Sequence, residues 1–319
     1  MQSTAKGQKS VLITGASTGI GYACAVRMLE AGWWVFATVR TKTDEERLSQ
    51  SLQVGRGRLS ILHLDVTSAE SVSALAAALQ ESLGADGRLN GLVNNAGVAL
   101  GGPLLHIEDD LISRQFDVNL VGPFRVIKAL APLLGATVGD PHQGRVVQIS
   151  SVSALRPMPF VGPYSASKAA LESMSNALRM ELIPYGISVS SVQPGPIRTA
   201  IWGKAPRPEE SPLRHTPYER ALRRFYKSFV LSGDRDGLPP ESISALVHHA
   251  LTARRPRRRY LKTPSYFSRY LLPRILPGAR FDRLIAGLLR LEASRFKEDH
   301  ALRSERLKNG EDPRALEES

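Results

Sequence analysis

The chain has 319 residues, 42% of them hydrophobic and 23% charged, and a single cysteine, Cys24. That balance supports a sizeable buried core and excludes global disorder, while the lone cysteine excludes an intrachain disulfide framework and a cysteine-rich zinc site. The formal charge of +12 is local: residues 254–308 carry 16 Lys and Arg against 5 Asp and Glu, whereas residues 1–253 carry 25 against 21.

No run approaches the roughly 18 apolar residues of a spanning helix. Residues 1–10 are polar and lead straight into a short apolar run, without a secretory pattern. The expectation is a soluble, cytoplasmic, globular protein. In chain order, residues 8–200 alternate short β-branched runs with helix-like stretches, the pattern of βαβ units around a parallel sheet. Six strands are predicted, at 11–14, 34–38, 59–64, 89–94, 145–150 and 188–193. Each is mostly apolar, as expected where helices cover both sheet faces. Helices are predicted over 19–31, 68–83, 111–134 and 164–183, the last ended by Pro184. The fold class is therefore α/β, a doubly wound parallel sheet in one domain over 8–260, with its ligand beyond the carboxyl ends of the strands. Residues 200–240, with Pro206, Pro208, Pro212 and Pro217 around a helix-like stretch at 218–231, read as a loop or lid. A further helix is predicted at 241–252, then a basic C-terminal extension over 261–319 whose tail, 308–319, is expected to fray.

Gly15-Ala16-Ser17-Thr18-Gly19-Ile20-Gly21 follows the first predicted strand and opens the first helix. Glycines there permit a tight turn and close backbone approach, and the helix N-terminus presents free N–H groups and a positive dipole to a pyrophosphate. Many α/β proteins use such a turn for packing alone, so its place between strand and helix is what favours a dinucleotide. The end of the second strand selects the dinucleotide: an acid there accepts from a ribose 2′-hydroxyl, whereas Arg accommodates a 2′-phosphate. This strand ends Ala37-Thr38-Val39-Arg40-Thr41-Lys42, with no acid before Asp44. Arg40, helped by Lys42 and the Ser17 hydroxyl, favours NADP(H) and leaves NAD(H) as the alternative. A solvated basic turn is the plain reading of the same residues. Trp33 and Trp34 open that strand and are expected near the adenosine site.

Tyr164 and Lys168 are four apart, hence on one face of a helix. An ammonium beside a phenol is expected to lower the Tyr pKa from about 10 towards neutrality, where it exchanges a proton with an alcohol or ketone. Ser151 lies just past the strand at 145–150, where its hydroxyl can hold a substrate oxygen. Alone, Tyr-x-x-x-Lys is more often a surface pair than a catalytic one.

Taken together, Thr14-Gly15-x-x-x-Gly19-x-Gly21, Leu64-Asp65-Val66, Asn94-Asn95-Ala96-Gly97, the set Asn119, Ser151, Tyr164 and Lys168, and Pro194-Gly195-Pro196-Ile197-Arg198-Thr199 resemble the short-chain dehydrogenase/reductase family. The resemblance is strong over 8–200 and loose over 200–260. It implies a Rossmann fold with Tyr164 as general acid/base and Lys168 lowering its pKa while holding the nicotinamide ribose. Ser151 orients the substrate oxygen, and Asn119 supports a water relay to Lys168. Cofactor contacts are implied for Gly15, Ser17, Gly19, Ile20, Gly21, Arg40, Asp65 (adenine), Val66, Asn94, Ala96, Gly97, Tyr164, Lys168, Pro194, Gly195, Ile197 and Thr199 (carboxamide). Ser17 stands where many NADP-preferring members carry a basic residue, so the preference rests on Arg40.

The wording Val35-Phe36-Ala37-Thr38-Val39-Arg40 and the long C-terminal extension resemble family members acting on steroids and retinoids. Ser151, Leu155, Phe160, Tyr164 and Trp202 are candidate substrate residues, with Val152, Met158, Ile201, Phe225 and Phe229 around them. This bulky apolar set suits a hydrophobic secondary alcohol or ketone, and reads equally as core. Two alternatives stand: a reductase of carrier-linked β-keto acyl groups, and a catalytically quiet dinucleotide-binding sensor or scaffold. The family also implies a homodimer or homotetramer through the helices at 111–134 and 164–183.

Five arginines lie between Arg254 and Arg259, followed by Phe281, Leu284, Ile285, Leu288 and Leu289 at helical spacing. Such a stripe with flanking basic charge docks an extension on its own domain or a partner subunit, or rests on a membrane surface through residues 261–291. No module for nucleic acid accompanies the arginines, and none is expected to bind. Cys24 reads as a buried small hydrophobe. His248-His249 are adjacent and make a poor metal pair, Asp109-Asp110 read as a helix start, and no metal is proposed.

Overall fold

The computed structural model of the protein describes residues 8–52, 55–200, 207, 210–211, 213 and 216–308. Aliphatic and aromatic runs form its central strands because those strands are covered on both faces. The strands are β1 (Ser10–Ile13), β2 (Trp34–Val39), β3 (Arg58–His63), β4 (Gly91–Asn94), β5 (Arg145–Ile149), β6 (Ser188–Pro194) and β7 (Arg259–Lys262). All pairs are parallel, in the order β3-β2-β1-β4-β5-β6-β7. Alternate side chains feed two cores. Val11, Ile13, Val35 and Ala37 enter one core, while Leu12, Trp34 and Phe36 enter the other. Winding reverses between β1 and β4, which opens a crevice at their carboxyl ends.

The helices are α1 (Gly19–Glu30), α2 (Lys42–Ser51), α3 (Ala69–Leu83), α4 (Asp109–Phe116), α5 (Gly122–Leu130), α6 (Gly162–Glu181), α7 (Glu219–Phe225), α8 (Ser232–Asp236), α9 (Glu241–Thr252), α10 (Leu272–Ile275), α11 (Gly278–Leu289) and α12 (Ala293–Lys308). The single helix predicted over 111–134 is instead α4 and α5 joined by a π-helical turn, Asp117–Val121. Pro123 explains the break. It has no N–H for the Asn119 carbonyl and its ring crowds that carbonyl, so the backbone widens before it.

The six predicted strands are present, and β7 is a seventh that the sequence reading missed. It reads Arg-Tyr-Leu-Lys, and only Tyr260 is buried. An edge strand with charged ends lacks the apolar signal of its neighbours. The boundary placed after Tyr260 therefore falls inside a strand. β7 also separates two features that the sequence reading joined. Exposed Arg254, Arg255, Arg257 and Arg258 precede it at the amino edge of the sheet, while α10 and α11 follow it beyond the carboxyl edge.

The apolar stripe of α11 is divided. Phe281 and Leu289 are buried, and Ile285 packs with Leu289 in a cluster containing Phe160, Ala221, Phe225 and Phe229. Leu284 (56% exposed) and Leu288 (48%) face outward. One side of the stripe thus docks on the protein's own domain. Among the described residues no helix is long and apolar enough to cross a membrane. Cys24 is buried in α1, and burial pushes its thiol up to about 12, where it is inert at neutral pH.

Candidate active site

The glycine turn is built from two loops locked together at the point where β1 and β4 part. Thr14, at the end of β1, accepts hydrogen bonds at Oγ1 from the N–H groups of Asn95 and Ala96, both at 2.9 Å. Asn95 Nδ2 donates in return to the carbonyls of Thr14 (3.0 Å) and Gly15 (2.9 Å). The sequence reading assigned cofactor contacts to Asn94, Ala96 and Gly97 and passed over Asn95, whose side chain makes the clamp. Gly15 and Gly19 adopt left-handed φ of +64° and +60°. A Cβ on Gly15 would lie 3.0 Å from Ala96 Cα, and one on Gly19 3.0 Å from Thr199 Cγ2. Gly21 is tighter still: its Cβ would meet Gly15 O at 2.3 Å.

Thr18 caps α1 without a side-chain hydrogen bond, so the N–H groups of Gly19, Ile20 and Gly21 are not taken by a capping side chain. A turn that lacks Cβ atoms at its three glycines, ending in uncapped N–H groups and faced by Thr199, fits a dinucleotide pyrophosphate. Opposite the turn, the segment from Pro194 to Thr199 is fixed from two sides. Gly195 N–H donates to Lys262 O (2.7 Å), and Ile197 bridges Leu238.

At the adenosine end, Arg40 is exposed and makes no hydrogen bond or ion pair among the described residues. Asp44, the first acid after it, is committed elsewhere: it pairs with Arg47 and accepts from Thr41 Oγ1 at 2.9 Å. Asp65 accepts from Thr67 N–H (2.9 Å) and Thr67 Oγ1 (2.7 Å). These hydrogen bonds hold its carboxyl below the usual range, and the field of Arg40 adds to them, which places Arg40 and Asp65 in one neighbourhood. Val66 is buried beside Gly122. The two tryptophans are a correction. Trp34 opens β2 and donates to Ser60 Oγ (3.0 Å), six residues from Arg40 at the other end of the strand, so Trp33 and Trp34 do not lie at the adenosine site. At about 3.3 Å per residue the separation is roughly 20 Å.

Two of the catalytic candidates, Asn119 and Lys168, meet beside Gly97. A Cβ there would lie 3.3 Å from Asn119 Oδ1 and 3.7 Å from Lys168 Nζ. Asn119 sits in the π-helical turn, fully buried, and brackets Val98: its Oδ1 accepts from Val98 N–H and its Nδ2 donates to Val98 O, both at 2.9 Å. The same Nδ2 donates to Ser167 Oγ at 3.2 Å. Gln115, which the sequence reading did not single out, holds the next stretch by accepting from Leu100 N–H and donating to Val98 O, both at 2.7 Å. Asn94 Nδ2 donates to Pro123 O (3.3 Å), tying β4 to the break before α5.

Lys168 is 5% exposed and donates from Nζ to Ile149 O at 2.8 Å, with Nζ 6.0 Å from the Tyr164 ring centroid. Burial lowers its pKa to about 8, opposed by the charge of Glu172. Ser151 Oγ accepts from Ser153 N–H (3.1 Å) and is also hydrogen-bonded with Tyr164.

The Tyr164 phenol departs from expectation. Burial pushes it above 10, with the Ser151 hydrogen bond opposing. The rise comes from burial of the phenol, while one of the three Lys168 N–H donors is engaged by the Ile149 carbonyl. Of the substrate candidates, Leu155 is half-buried, just after the short turn Val152–Ala154 that follows Ser151. Phe160 is 7% exposed, with a left-handed φ of +69°. Its ring meets Phe225 edge-on at 5.6 Å and Tyr218 at 6.0 Å. Trp202 and Ile201 lie outside the described residues.

The sequence profile described as short chain dehydrogenase matches residues 9–210. An NADPH-dependent 3-dehydrocapnine reductase of Ornithobacterium rhinotracheale is 34% identical over 273 residues, covering 86% of this chain and 94% of the relative. Human 17-beta-hydroxysteroid dehydrogenase type 1 is 34% identical, covering 80% and 78%. A solved short-chain dehydrogenase from Streptomyces avermitilis superposes with a TM-score of 0.66 at 27% identity, covering 89% and 97%. The chain belongs to the short-chain dehydrogenase/reductase family. Its fold is the family's Rossmann fold, and it is an oxidoreductase acting on CH–OH groups with a nicotinamide dinucleotide.

Proposed function

We propose that the protein is an NADP(H)-dependent oxidoreductase interconverting a hydrophobic secondary alcohol and its ketone. The observation that carries this reading is the meeting of Ser151, Tyr164, Lys168 and Asn119 at the carboxyl edge of the sheet, beside the clamped glycine turn. The dinucleotide, when bound, supplies the hydride donor or acceptor. The Tyr164 hydroxyl gives its proton to the carbonyl oxygen in reduction and takes it back in oxidation. Ser151 donates a hydrogen bond to that same oxygen. The Lys168 ammonium disfavours neutralisation of the developing phenolate, and Asn119 holds the Val98 backbone beside it.

Arg40 supports NADP(H), as does the printed NADPH dependence of the Ornithobacterium relative. Each charge-assisted hydrogen bond to a 2′-phosphate contributes about 1.5–3 kcal/mol. Arg40→Asp is therefore expected to lower the NADPH-to-NADH affinity ratio by at least about tenfold, read by titrating the reduced dinucleotide's own fluorescence. An unchanged ratio places the phosphate-binding group elsewhere.

The aromatic cluster of Phe160, Tyr218, Phe225 and Phe229 beside α6 supports a bulky apolar substrate, as does the name of the human relative. Assay of free hydrophobic ketones against a carrier-linked β-keto thioester tests the class. Turnover of the thioester alone would replace this reading with the acyl reductase, and dinucleotide binding without any turnover would favour the sensor.

Self-association is proposed through α5 and α6 and the turn before α5, where Val121 (45%), Met174 (42%) and Met180 (61%) are exposed apolar side chains. A 35 kDa particle in light scattering would contradict it. Peripheral membrane contact through 261–291 is proposed for the outward face, where Phe267, Ile275, Leu284 and Leu288 are exposed among Arg274, Arg280 and Arg283. Leu284→Asp with Leu288→Asp is expected to reduce sedimentation with anionic vesicles. Undiminished sedimentation would sink the idea.

A further inference from the structure

We infer that Glu172, fixed by Arg259 and Ser191, is a positioning residue that acts on the reaction through Lys168. The inference rests on the proton-transfer reading above, but its electrostatic half stands on the fold alone. Tyr164, Lys168 and Glu172 recur every four residues along α6, so the three side chains form one column on the helix. Glu172 is 8% exposed, an uncommon place for a carboxylate. Its Oε2 accepts from Ser191 Oγ on β6 at 3.1 Å, and from Arg259 Nε and Nη2 on β7 at 3.2 and 3.0 Å.

The other oxygen, Oε1, is buried and has no hydrogen-bond partner among the described residues. An apolar side chain would fill this space without that desolvation cost. A carboxylate is a poor choice for packing, yet a good source of field for a cation one turn away. Lys168 is that cation. The groups facing it are Tyr164 and Glu172 from α6, the Ile149 carbonyl from β5 and the neutral Asn119 from the π-helical turn. Among the described residues Glu172 is the one anion facing it, and Arg259 is bound to that carboxylate.

The sign follows from these contacts. Burial drives Lys168 towards its neutral form, and Glu172 opposes that drive. With the carboxylate removed, the folded-state pKa of Lys168 falls further, so the ammonium is lost at a lower pH. A neutral amine gives no field to the Tyr164 phenolate, and proton exchange fails from the alkaline side inwards. Arg259 holds the Glu172 carboxylate in place through two hydrogen bonds. Edge strand β7, absent from the family's short motifs, thereby enters the chemistry through a charge relay of three residues.

The test uses the full-length protein labelled with 13C at lysine Cε. The Lys168 resonance is assigned by its loss in Lys168→Arg and titrated in wild type, Glu172→Gln, Glu172→Asp and Arg259→Gln. Glu172→Gln is expected to lower the Lys168 midpoint by about one pH unit and to move the alkaline limb of kcat down with it. Glu172→Asp should restore both in part, because it keeps the charge. Arg259→Gln, at a partly exposed edge position, removes the cation that offsets the Glu172 field, so it should shift the midpoint slightly upward, an effect largely lost in the Glu172→Gln background.

A structural staple would lower the melting temperature in Glu172→Gln while leaving the Lys168 midpoint unmoved, and that result overturns the inference. A shifted midpoint with an unmoved kcat limb overturns its catalytic half. Because the resonance titrates without substrate, failure of the proposed reaction is read separately. If Glu172→Gln does not fold, the Arg259→Gln titration decides the question alone.

Discussion

Tyr164→Phe is expected to lower kcat by roughly two to four orders of magnitude, the contribution of a positioned general acid/base, with dinucleotide affinity little changed. Phe keeps the ring and its place on α6, and Lys168 keeps its bond to Ile149 O. What is lost is the hydroxyl that bonds with Ser151 and carries the transferable proton. The pH dependence separates the two directions. Burial holds the phenol above its ordinary value, so its protonated form, competent for ketone reduction, dominates through neutrality. Alcohol oxidation needs the phenolate, and its rate is expected to climb with pH until Lys168, near 8, loses its charge. Steady-state kinetics in both directions, with NADPH titration of the variant, make the check. Retention of a tenth or more of wild-type kcat would remove Tyr164 from the proton-transfer role.

The ends of the site that rest on backbone chemistry were legible in the sequence; those that rest on long-range side-chain contact were not. Gly15, Gly19 and Gly21 are spaced for a turn that only glycine can make, and the structure places them there because any Cβ would meet Ala96, Thr199 or the Gly15 carbonyl. Tyr164 and Lys168 share a helix, so their i, i+4 spacing fixes their common face. By contrast, Arg259 and Glu172 are 87 residues apart. No local pattern links them until β7 pairs with β6. The α11 stripe was visible as a stripe, yet which of its two sides is buried depends on where Phe160 and Phe225 lie. The expected drop in the Tyr164 pKa is opposed for a related reason: spacing places an ammonium near a phenol, but the burial that raises the phenol comes from the packing of other elements.

Gly19→Val and Gly21→Val should fail in different ways, and the difference tests whether the turn is a binding device or only a packing one. At Gly19 the backbone is left-handed, a conformation costing an L residue about 1–2 kcal/mol and a β-branched one more. The new Cβ meets only the Thr199 side chain, at 3.0 and 3.1 Å, and no backbone atom. Such a substitution can be absorbed by a shift of the turn, which misdirects the N–H groups at the start of α1. Loss of one charge-assisted hydrogen bond, about 1.5–3 kcal/mol, corresponds to roughly 10- to 100-fold weaker dinucleotide binding. The fold should persist, with the melting temperature lower by only a few degrees.

At Gly21 the obstacles are Gly15 O at 2.3 Å and Asn95 Nδ2 at 2.5 Å, the two groups that lock β1 to β4. Neither can yield without breaking the clamp between the loops that follow β1 and β4, so Gly21→Val should lower the melting temperature far more than Gly19→Val does. Thermal melts of both variants, read beside NADPH titration of Gly19→Val, decide between the two roles. Wild-type NADPH affinity in Gly19→Val would leave the turn as packing alone and move the pyrophosphate site away from α1.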